Sequence, residues 1–125
     1  MRNAILGLIG LVMIVGSATA QTPDNFVIDT AGELAVLCSV STDSPVYTAA
    51  IHFCHGYGHG AFQYYKAQSF AKGGSKFVCV PNPAPTRVEA WSGFIAWLKN
   101  NPKYNDGIAI DVLFRYLGET YPCKN

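Results

Sequence analysis

The stretch "IHFCHGYGHGAFQYY", residues 51–65, holds three histidines, one cysteine and three glycines. At about 100° per residue, His52, His55 and His59 fall within about 60° of arc on one helical face, together with Thr48, Gln63 and Lys66. The opposite face carries Tyr47, Ala50, Cys54, Tyr57, Ala61 and Tyr65, flanked by Ile51, Gly58 and Phe62. An apolar face and a polar face at this period predict an amphipathic helix with Cys54 turned inward. Pro45, after Ser44, suits the first position of that helix, where its missing N–H leaves nothing unpaired. Gly73 and Gly74 mark its end, so the helix is predicted over 45–70.

The same geometry weighs three chemistries for the histidines. A Cys54/His55 catalytic pair needs side chains within hydrogen-bond reach, yet adjacent helical residues point about 100° apart. A metal held by His52, His55 and His59 is sterically possible at i, i+3 and i, i+4, but the row lacks a fourth ligand and supporting groups. The remaining reading, a solvated or partner-facing polar stripe, is preferred, and no metal or cofactor is assigned. Gly56, Gly58 and Gly60 give up about 2 to 3 kcal/mol of helix propensity relative to alanine. Such a loss points to close backbone approach by another helix or a partner, or else to a mildly unstable helix held by its disulfide.

Before this helix, Thr30 and Glu33 have capping-box spacing ahead of Leu34, Leu37 and Cys38, predicting a short helix over 30–39. "SVSTDS", 39–44, is turn-rich. "FVCVPNPAP", 77–85, combines β-branched residues with three prolines and reads as an extended crossing. Thr86 and Glu89 form a second capping box for a helix bearing Val88, Trp91, Ile95 and Leu98, which stops at Asn100, Asn101 and Pro102. Asp106 is placed to cap a last helix over 107–120, ended by Tyr121-Pro122. No repeat or convincing strand pair is present. The fold class is all-α, four helices in one small domain.

Ahead of this domain stand Arg2, an apolar run from Ile5 to Val15, and the small residues Ser17, Ala18, Thr19 and Ala20. This is the layout of a secretory signal peptide over residues 1–20, with Gln21 expected as the new N-terminus and 21–29 as a short arm before the domain at 30–125. The apolar run is too short for a permanent membrane helix, so no membrane association is expected after cleavage. Without residues 1–20 the chain has eight acidic and eight basic side chains. A net charge of zero argues against nucleic acid or an anionic membrane as partner.

All four cysteines lie in the exported part, and exported cysteines in even number read as two disulfides. An antiparallel pairing of the first two helices brings Cys38 to Cys54. Pairing of the last two brings Cys79, before the third, to Cys123, after the fourth. Loop-closure arguments give about 3 kcal/mol for the shorter bridge and about 4 for the longer.

The ordered set of a helix ending in Cys38, "CHGYGHG" (Cys54, Gly56, Tyr57, Gly60), "FVCVP" (Cys79, Pro81), Trp97, Leu98, Asn101 and Pro102, and "YPC" closing at Cys123 resembles the Rap1a/Tai family of immunity proteins over residues 30–123. The resemblance implies a small all-α, disulfide-linked periplasmic protein, often a homodimer. It implies no enzymatic activity, but binding of a type VI secretion effector that cuts peptidoglycan crosslinks, with blockage of that amidase's cysteine-histidine site. The histidine row departs from the family's common pattern. In outline the domain also resembles HdeA-type periplasmic acid chaperones, which makes acid-stress protection the alternative function.

The residues themselves offer little to an enzyme. The carboxylates, among them Asp29, Glu33, Glu89 and Asp106, sit at caps or on helix faces with no apposed pair. Trp91, Phe94, Trp97 and Phe114 fall at core spacing. Two surfaces are candidates for contact with a protein partner. One is the row His52, His55, His59 and Gln63; the other, slightly preferred, is the "AKGGSK" loop at 71–76, with Lys72, Gly73, Gly74, Ser75 and Lys76.

Overall fold

The computed structural model describes residues 26–124, so the expected signal segment 1–20, its cleavage point and residues 21–25 of the arm lie outside the described residues. Four helices follow: α1 (Ala31–Cys38), α2 (Tyr47–Phe70), α3 (Arg87–Asn100) and α4 (Ala109–Thr120), with a 3-10 turn at Pro102–Tyr104 between the last two. Among the described residues the only β-type pairings are two isolated antiparallel bridges, Thr30 with Ile108 and Val78 with Pro122. The expected all-α class is what forms.

Both capping boxes are present. Thr30 Oγ1 accepts from the Glu33 N–H and Thr86 Oγ1 from the Glu89 N–H, while each glutamate carboxylate takes the N–H of its threonine. Those hydrogen bonds to the charged form hold both carboxyls below the usual glutamate range, the Thr30 N–H acting most on Glu33 and the Thr86 N–H most on Glu89.

Two helix starts differ from the expectation. The second helix begins at Tyr47 rather than at Pro45, because residues 41–47 are taken up by successive turns: the Ser44 N–H bonds to the Ser41 carbonyl at 3.0 Å and the Tyr47 N–H to the Ser44 carbonyl at 3.0 Å. The fourth begins at Ala109, and Asp106 does not cap it. Its first N–H is taken by a distant carbonyl, Asp29, at 2.9 Å, while Gly107 accepts from Ala31 at 2.9 Å and Asn105 from Gly32 at 2.9 Å. The N-termini of α1 and α4 thus cap each other through backbone, and a side-chain cap has nothing left to do.

That mutual docking places α1, the shortest helix, at the centre, where it packs against α2, α3 and α4 alike. Its Ala31 and Leu34 are fully buried and join Cys54, Phe94, Leu98, Val112, Leu113 and Tyr116 in one core. Phe94 meets Trp91 and Tyr116 edge-on, each at 5.8 Å between ring centroids. Gly93 lets α4 close on α3: a Cβ there would stand 2.2 Å from the Tyr116 hydroxyl. Both disulfides form as expected, Cys38–Cys54 and Cys79–Cys123, with Cα–Cα distances of 5.8 and 4.8 Å. The first ties α1 to the middle of α2; the second ties the crossing before α3 to the end of α4. A smaller aromatic group lies outside the core, where Tyr65 packs on Phe77 at 4.9 Å and on Phe114 at 5.2 Å.

Candidate functional site

The five loop residues singled out in the sequence follow the last turn of α2, and every residue from 70 to 77 is exposed. Exposure here does not mean looseness. Gly73 takes φ +82°, a left-handed conformation that a side chain would strain, and a Cβ on Gly74 would stand 2.2 Å from the Gln68 carbonyl oxygen and 2.8 Å from that of Ser69. The turn closes with the Gly74 N–H on the Ala71 carbonyl at 2.8 Å.

Its exit is fixed from below. The buried Tyr65 hydroxyl accepts from the N–H groups of Phe77 and Val78, both at 2.9 Å, and donates to the Val78 carbonyl at 3.3 Å. One residue further, the Cys79 N–H bonds to the Tyr121 carbonyl at 2.8 Å, and the Cys79–Cys123 bridge anchors the segment to the end of α4. Lys72, Ser75 and Lys76 therefore stand on a short backbone arch with both feet pinned. Beside them lie exposed aromatic surfaces: Phe70 is 67% and Phe77 48% exposed, and the Lys76 ammonium rests 4.0 Å above the Phe70 ring. A cationic, aromatic-flanked projection of this kind fits a cleft with acidic and apolar walls.

The histidine row is divided by the structure. His52, His59 and Gln63 are exposed on the polar face of α2, whereas His55 is half-buried, its Nε2 shielded from solvent and without a hydrogen-bond partner. Burial first, and then the Arg87 guanidinium and the His52 imidazole, hold the His55 pKa below the ordinary histidine value. Cys54 is buried and oxidised, so it offers no thiolate to its neighbour. Among the described residues no three His, Cys, Asp or Glu side chains are grouped to hold a metal ion.

His55 faces a feature that the sequence alone did not reveal. A pocket of about 240 Å³ opens between α2, the 80–86 crossing, the start of α3 and α4. Trp91, Leu113 and Leu117 line it, with His55, His59 and Arg87 among its polar atoms. Gly58 gives it depth, since the Trp91 ring lies 3.1 Å from where a Cβ would be; Gly56 and Gly60 face open space. At one side Tyr116 is buried beside the Tyr121 hydroxyl, and burial foremost pushes its phenol up to about 12, so it stays neutral and a hydrogen-bonding group. The signal that could have disclosed the pocket is the pairing of Gly58 with Trp91 across 33 positions, which no local period encodes.

None of these groups makes a nucleophile–base pair, and among the described residues no helix is long and apolar enough to cross a membrane. The arrangement suits binding. Comparison with known proteins gives one finding: neither the curated proteins nor the solved structures yield a match, but the family model of Rap1a immunity proteins matches residues 30–123. That span takes in all four helices, both disulfides and the pinned loop, and the chain belongs to the Rap1a immunity protein family.

Proposed function

We propose that this chain is a periplasmic immunity protein of type VI secretion, which binds an effector that cleaves peptidoglycan crosslinks and occludes its cysteine-histidine active site without chemistry of its own. Family membership supports the immunity role, and the layout of residues 1–20 supports export. The observation that carries the mode of action is the 71–76 loop, exposed yet fixed by Gly73, Gly74, Tyr65 and the Cys79–Cys123 bridge. A loop whose backbone is already held in one shape loses little backbone freedom on entering a cleft, which leaves side-chain ordering, about 0.5 to 1.5 kcal/mol for each immobilised long side chain, as the main ordering cost. The loop is preferred over the histidine row as the inserted element, because His55 is withdrawn from the surface. His52, His59 and Gln63 are assigned to the periphery of the same contact, and the protein is proposed to act as a homodimer.

The test is co-expression in the periplasm with an exported-toxin candidate bearing a Cys/His pair, sought first among the neighbouring genes. Relief of lysis, and association of the purified proteins at micromolar concentration or tighter, are expected. Lysis that persists despite comparable export of both proteins would reject the immunity reading.

A further inference from the structure

The pocket under His55 has an apolar body and one basic end. We propose that it is a binding site for a small monocarboxylate with a short apolar tail. The site stands apart from the pinned loop and does not rest on the immunity reading. Its tail region is set by Trp91, Leu113 and Leu117, all contributed by the packing of α3 against α4, and its volume of about 240 Å³, just below the usual range for drug-sized ligands, suits a small one.

Its polar end is one-sided. No aspartate or glutamate lines the pocket, and the one permanent charge in its wall is Arg87. The nearest carboxylate in sequence, Glu89, is committed to the start of α3, accepting from the Thr86 N–H at 2.7 Å and the Thr86 hydroxyl at 2.8 Å. His55 supplies the second element, because its shielded Nε2 has no partner in the protein. A buried polar atom left in that state is unfavourable, and a ligand oxygen would supply the missing partner. A carboxylate accepting from the His55 Nε2–H and the Arg87 guanidinium satisfies both, with its tail running over the Trp91 ring.

The experiment titrates the folded, oxidised protein at pH 7.5 with octanoate, and in parallel with octanol and octylamine, following the His55 imidazole and Trp91 indole resonances by ¹H–¹⁵N correlation. Octanoate is expected to shift both signals saturably and to bind at least about tenfold more tightly than octanol, with octylamine weaker still. Arg87→Gln, at an exposed position, is expected to weaken octanoate about tenfold while leaving octanol and the melting temperature unchanged. Ala90→Phe, which fills the pocket from α3, is expected to abolish both. Equal binding of octanol and octanoate would overturn the proposal, as would octanoate affinity indifferent to Arg87→Gln, or no saturable shift at His55 up to about 10 mM.

Discussion

At its C-terminal end α2 hands over to a loop exposed from 70 to 77 yet tied down by two glycine constraints, three hydrogen bonds to one tyrosine and a disulfide. About 24 Å earlier on the same helix, at 1.5 Å per residue, His55 turns inward over a pocket that α2 shares with the 80–86 crossing, α3 and α4, and its shielded Nε2 has no partner. The loop gains a defined shape from its own backbone; the pocket gains one from what neighbouring elements leave unfilled. A surface built in the first way keeps its form when it meets a partner, whereas one built in the second way keeps a place for something small. The contrast separates His55 from the loop: the loop is proposed to insert into the effector, while His55, offered by the sequence as part of an alternative contact surface, is proposed to serve the pocket.

Perturbations of the loop's supports should therefore act on stability and partner binding together, and perturbations near the pocket on neither strongly. The largest effect is expected from Cys79→Ala with Cys123→Ala: loss of the bridge, which spans 44 positions, should lower unfolding free energy by about 4 kcal/mol in chemical denaturation. Loss of Cys38–Cys54, spanning 16, should cost about 3 kcal/mol and leave the loop's hydrogen-exchange protection intact. An equal loss of protection at Phe77 and Val78 in both variants would erase the distinction. Next comes Tyr65→Phe, which strips the acceptor from two N–H groups at the loop's exit. It should cost about 1 to 3 kcal/mol and speed amide exchange at 77 and 78 selectively.

On the open side of α2 the sign reverses. Gly60→Ala meets no atom within 4 Å and should raise stability by about 0.5 to 1 kcal/mol through helix propensity, without changing the loop's exchange rates. The smallest effect is that of pH on His55. Its folded pKa lies below the ordinary value, so the unfolded chain binds the proton more readily. Stability from this group is complete above about pH 6.5 and declines as pH falls below it. His55→Gln should flatten that slope, and a slope unchanged by the substitution would contradict the placement of Nε2. Glu33 and Glu89, both with depressed pKa values, add a separate loss at lower pH, as the cap carboxylates protonate. An acid chaperone would use such losses to expose apolar surface and hold client proteins; the occlusion account expects no holdase activity at about pH 3.

The sequence was most legible where the deciding interactions are local. Thr30 with Glu33 and Thr86 with Glu89 place two helix starts correctly, because each box closes within three residues. Cys54 on the inner face of α2 follows from a period that any helix obeys, and the disulfide pairing follows from which helices lie side by side. Legibility fails where the partner is remote. Asp106 has the residue type and spacing of a cap, but the α4 N–H it would serve is already bonded to Asp29, nearly eighty positions away. A helical wheel likewise gives the direction in which His55 points, not that Trp91 and the start of α3 stand opposite. The histidine row looked uniform because its three members share one face of α2, and it was divided by an element that the period of α2 does not describe.

The pinned 71–76 loop is proposed as the element that blocks the effector. The most direct measurement is cleavage of crosslinked muropeptides by the cognate effector, titrated with this protein and with a Lys72→Glu, Lys76→Glu variant whose fold is verified by its melting curve. Stoichiometric inhibition by the native protein is expected, together with a loss of at least about a hundredfold in inhibitory potency for the loop variant, a share of binding energy typical of a residue pair at the centre of an interface. Full inhibition by the variant would place the blocking surface elsewhere on the molecule and contradict the account.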